Sequence, residues 1–172
     1  MPLNILIVAL FVTVIAYFPE GLSDGQVILD HQALRKLLTK YGTPQDLQDS
    51  EKRNGLWHSY KTVPYAILHI LAYVVQVQYL PIHKALLLAV IEVIVGRYMT
   101  HSFATATARG IPINTMPSAD SCELYIVQWR FWKWGWDFSD AFLIMTCETF
   151  KIGLWDLYII MFMIPTILYF LI

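Results

Sequence analysis

Two titratable residues of this chain sit where titratable residues are expensive. His69 falls inside the apolar run TVPYAILHILAYVVQVQYL (62–80), and Glu92 inside IHKALLLAVIEVIVGRYM (82–99). Pro81 joins the two runs, with His69 twelve residues before it and Glu92 eleven after it. At a helical rise of about 1.5 Å per residue, both fall at similar depth along two antiparallel arms. An imidazole and a carboxyl placed there can pass a proton, hold a metal ion, or hydrogen-bond to fix the register of a hairpin. The last is the simplest reading, and the spacing predicts that the two side chains meet.

No other catalytic pattern is present. The five histidines are His31, His58, His69, His83 and His101. No two are four residues apart, and neither Glu-x-x-His nor H-E-x-x-H occurs, which removes the di-iron bundle and zinc-protease patterns. Phosphate-binding glycine loops and the G-x-S-x-G elbow are missing as well. Cys122 and Cys147 form no C-x-x-C pair and give no zinc or disulfide signature. Asp137 and Asp140 read as charges at a helix start, where they complement its dipole. No cofactor is specified. A metal site built from His69, Glu92 and a carboxylate of the last helix is an alternative, as is a pigment or haem ligated by His69.

The elements that must position His69 and Glu92 follow from composition. The chain of 172 residues is 57% hydrophobic and 15% charged, against roughly a quarter charged in soluble domains. Its net charge of −1 provides no field for nucleic acid. The apolar residues fall in blocks. Residues 1–19 hold a 15-residue run, Asn4 to Phe18, closed by Pro19. No basic residue precedes it and no small-x-small site follows, so a retained membrane helix is expected rather than a cleaved signal. Residues 20–61 are polar. Within them Leu34, Leu37, Leu38 and Tyr41 share one face opposite Arg35, Lys36 and Lys40. That pattern predicts a short amphipathic surface helix between Asp30 as N-cap and Gly42 as stop. Thr43 to Gly55 reads as turns. Residues 62–99 form the transmembrane hairpin, with Pro64 in the first turn of its helix.

Residues 100–140 are a loop, in which FATATARG (103–110) reads as loop or short helix, followed by an aromatic segment, QWRFWKWGWDFSD. Trp129, Arg130, Trp132, Lys133, Trp134 and Trp136 suit the headgroup zone, where rings need one apolar side and indole N–H groups need a polar one. Arg97 and His101 are expected to face the same zone. Gln76 and Gln78 are expected as polar anchors or interhelical hydrogen-bonders near the hairpin tip. Residues 141–172 are apolar after Asp156, and read either as an amphipathic helix leading into a span or as one long tilted helix bent at Pro165.

The expected fold is therefore an all-α integral membrane protein. It has three or four transmembrane helices including the central hairpin, plus the surface helix. Basic residues set its orientation. Arg35, Lys36, Lys40, Lys52, Arg53 and Lys61 precede the hairpin, and Arg97, Arg109, Arg130 and Lys133 follow it, while the tip carries only Lys84. Both long segments are expected on the cytoplasmic or matrix side of a cell or organelle inner membrane. The expected role is a small non-enzymatic subunit or interaction protein, in contact with lipid and with other membrane subunits or further copies of itself. An oligomeric ion or proton conductor using His69 and Glu92 is the alternative.

Overall fold

A computed structural model describes residues 2–113, 143, 146, 147 and 149–172. Most of those residues are helical, with no strand among them. The expected Trp129–Trp136 anchors, Cys122, Asp137, Asp140 and Glu148 lie outside them.

Helix α1 spans Pro2–Tyr41. It unites the apolar run and the amphipathic segment, so neither Pro19 nor Asp30 marks a boundary. A proline inside a helix removes one N–H and crowds the preceding turn. The helix continues past it into turns that dock closely at Gly21 and Gly25. Helix α2 spans Pro44–Gln76 and takes in the stretch expected as turns, with Pro64 in its interior rather than its first turn. The local reason is a capping box that the turn reading overlooked. Thr43 Oγ1 accepts from the Asp46 N–H at 3.2 Å, and Asp46 Oδ2 accepts from the Thr43 N–H at 2.9 Å. Pro44 begins the helix, where its missing N–H costs nothing. Replacing Thr43 with alanine is expected to cost about 1 kcal/mol. Amide exchange in the first turn after Thr43 should speed up, with exchange beyond Pro64 unchanged.

A turn through Leu80 reverses the chain, with Tyr79 and Leu80 N–H groups both bonded to the Gln76 carbonyl. Helix α3 (Ile82–Val93), a π-helical segment (Ile94–Thr100) and α4 (His101–Arg109) then follow without a break. The His101 N–H bonds to the Gly96 carbonyl, five residues back, which is the widened π-type turn. FATATARG is thus helical up to Gly110, whose φ of 64° supplies the left-handed stop. After the described helical residues around Cys147, Lys151 takes a positive φ of 52°. Gly153 then caps α5 (Leu154–Leu171). The C-terminal region is accordingly interrupted before Leu154 and is not one long helix.

Leu6 of α1, Leu80, Ala85, Leu88 and Ile91 around α3, and Tyr169 of α5 form one core cluster. Leu143, Cys147, Leu154, Leu157 and Tyr158 form a second. Outward-facing side chains are also apolar, among them Phe11 at 66% exposure and Ile70 at 63%. Two helices, Leu3–Tyr41 and Leu154–Leu171, are long and apolar enough to cross a membrane.

Candidate functional site

His69 and Gln76 are seven residues apart on α2 and therefore share a face. Two different neighbours cover that face. Tyr17 of α1 meets His69, with its hydroxyl 2.5 Å from Nε2. Glu92 of α3 meets Gln76, whose Nε2 donates to Oε1 at 2.7 Å. The two sequence candidates thus take separate partners. Counting rise from Pro81 gives depth but not azimuth, and α1 occupies the side of His69 that Glu92 was expected to fill. Gln76 is an interhelical hydrogen-bonder.

From Tyr17 a line of polar groups runs along α1. The Tyr17 ring lies 4.9 Å from that of Tyr65, one turn before His69 on α2. The Tyr65 hydroxyl hydrogen-bonds to Glu20. Glu20 and Asp24 are one turn apart, and their carboxylate oxygens lie with a ring nitrogen of His101 all within 4.8 Å of one another. Asp24 Oδ2 is 2.7 Å from His101 Nε2. A carboxylate only accepts, so Nε2 carries the proton and Nδ1 is left as acceptor. Arg97 Nη1 lies 3.1 Å from both Nδ1 and Nε2 of that ring.

Asp24 and His101 are buried, at 4% and 8% exposure. His101 is thus buried against α1, with the half-buried Arg97 beside its ring. Burial pushes the His101 imidazole below its ordinary value, the Asp24 hydrogen bond pulls it back up, and the Arg97 charge lowers it further.

The cluster is positioned by small residues. Gly21 and Gly25 of α1 face Ala104 and Ala108 of α4. An added Cβ would stand 2.5 Å from the His101 carbonyl oxygen at Gly21 and 2.5 Å from Ala108 Cβ at Gly25. Thr105 Oγ1 donates to the Gly21 carbonyl at 3.1 Å. Gly96, in the π-helical segment, leaves the space that the Tyr17 ring fills, since a Cβ there would lie 2.5 Å from Tyr17 Cδ2. Widened π turns recur at functional sites because they re-aim the side chains around them.

The sequence carried signals for this cluster. Thr13, Tyr17, Glu20 and Asp24 return once per turn on an otherwise apolar helix, and Gly21-x-x-x-Gly25 is a close-packing motif of the small-x-x-x-small type. Chemically, the cluster offers two carboxylates and an imidazole with a guanidinium beside them. Comparison with family models, curated proteins and solved structures finds no match to this chain.

Proposed function

We propose that this chain is a small non-enzymatic integral membrane subunit that works assembled with further membrane helices. In this reading α1, the α2–α3 hairpin and α5 all cross the membrane, and the basic segments flanking the hairpin share its cytoplasmic or matrix side.

One observation carries the reading. His69 is only half-buried, on the seam where α2 meets α1, and its neighbours Leu68, Ile70 and Leu71 point outward at 55, 63 and 55% exposure. Lipid tails cannot hydrogen-bond an imidazole, and polar groups inside a membrane face protein or water-filled cavities rather than hydrocarbon. In this reading a neighbouring chain covers the seam between α1 and α2 and gives the exposed part of the ring a protein surface. The ion-conducting alternative draws less support, because His69 and Glu92 bond to different partners.

Native mass spectrometry after gentle extraction into nanodiscs is expected to report species heavier than one chain. A cysteine at Ile70 should cross-link to a neighbour, while one at the hairpin-tip residue Tyr79 should not. A strictly single-chain mass at every dilution, with no cross-link at position 70, overturns the proposal.

A further inference from the structure

We infer that Glu20, Asp24 and His101 form a binding site for a divalent transition-metal cation. The three residues come from two helices, α1 and α4, and their donor atoms converge within 4.8 Å. Donors at 2.0–2.2 Å from one ion stand about 3.3–3.6 Å apart in a tetrahedron, so the widest pair of the triad closes by up to about 1.5 Å, within the reach of a Glu20 rotamer change. The Asp24–His101 contact at 2.7 Å opens when the ion takes the Nε2 lone pair, the ring proton moving to Nδ1 as the neutral imidazole changes tautomer.

The donor set fixes the class of ion. One imidazole nitrogen with two carboxylate oxygens suits Zn²⁺, Mn²⁺, Fe²⁺ or Co²⁺. Magnesium and calcium prefer oxygen-only shells and do not repay the displacement of a proton from imidazole. Rigidity favours the site too. Glu20 and Asp24 lie one turn apart on α1 and flank Gly21, which is seated against the His101 backbone. The carboxylates and the imidazole are thus held at a fixed separation before any ion arrives. Glu20 is the least buried of the three.

Arg97 is the opposing element. Its guanidinium contacts the His101 ring and cancels one of the two carboxylate charges. The site therefore holds an ion against a fixed positive neighbour. Removing that neighbour should tighten binding, whereas a purely structural ion-pair cluster would only lose stability.

The test uses the full chain in nanodiscs. Titration of the wild type with Co²⁺ is expected to saturate at one ion per chain. It should develop visible absorption bands of nitrogen–oxygen coordination, which Zn²⁺ displaces and excess Mg²⁺ does not. Asp24→Asn and His101→Asn are each expected to weaken binding at least about 10-fold, and His83→Asn to leave it unchanged. Arg97→Gln is expected to tighten it by about 10-fold, the effect of one unit charge removed from a partly buried site. Glu20→Gln, at a less buried position, serves if the buried variants do not fold, and should weaken binding similarly. Absence of saturable Co²⁺ binding by the wild type overturns the proposal. So does binding that survives Glu20→Gln, or that Arg97→Gln fails to strengthen. Because these readings need only the single chain, they stand or fall separately from the assembly experiment.

Discussion

Gly25→Leu is expected to abolish the folded bundle, and Gly25→Ala to weaken it by about 3 kcal/mol. The first added atom already meets Ala108 Cβ at 2.5 Å and the Thr105 carbonyl oxygen at 2.8 Å. Ordinary overpacking costs about 1–3 kcal/mol because side chains can rotate away. Here one obstruction is backbone, so α1 and α4 must separate. Separation would also pull Asp24 off His101 and Thr105 off the Gly21 carbonyl, leaving buried polar atoms without partners. Against a total stability of about 5–15 kcal/mol, leucine exceeds what the fold tolerates. Because the nearest atom is a methyl group, Gly25→Ala combined with Ala108→Gly should recover part of the loss. Thermal melting in detergent measures all three variants. If Gly25→Leu melts with the wild type, α1 and α4 are not packed at this distance.

How much of this was readable from the residues divides along physical lines. The helices themselves were readable, because runs of apolar residues leave few alternatives to helix. The antiparallel reversal at Pro81 was readable for the same reason, with proline as punctuation. Helix ends were harder. Pro19 looked like a stop, but packing of Gly21 and Gly25 outweighs a local breaker. Thr43 to Gly55 looked like turns, yet the Thr43–Asp46 box starts a helix there. Long-range pairing was hardest. Residue spacing along an arm fixes height to within a turn, but which neighbour occupies a given face depends on α1. The sequence drew attention to His69 and Glu92 for their apolar surroundings. It did not join Asp24 to His101, which lie 77 residues apart. His101 reads as a headgroup-facing residue at the end of an apolar run, and nothing in the spacing within the polar segment 20–61 singles out Asp24.

Gln76→Leu is expected to destabilise the chain by about 3 kcal/mol, the second large effect. Glu92 is 4% exposed, and its Oε1 accepts the Gln76 amide at 2.7 Å, while Oε2 has no hydrogen-bond partner among the described residues. Removing the amide leaves the whole carboxyl group buried and unmatched, and such a group costs more than the net value of the bond it lost. Glu92→Leu leaves behind only a neutral amide, so its expected cost is smaller, about 1–2 kcal/mol. The double replacement Gln76→Leu with Glu92→Leu removes both polar groups and adds apolar surface next to Leu88 and Ile91. It should lie close to the wild type, which makes the coupling energy about 4 kcal/mol or more. The parallel cycle of His69→Leu with Glu92→Leu should be additive within about 0.5 kcal/mol, because the two side chains have separate partners. Coupling in the second cycle and additivity in the first would mean that Glu92 faces His69 after all, and that α1 does not stand between them.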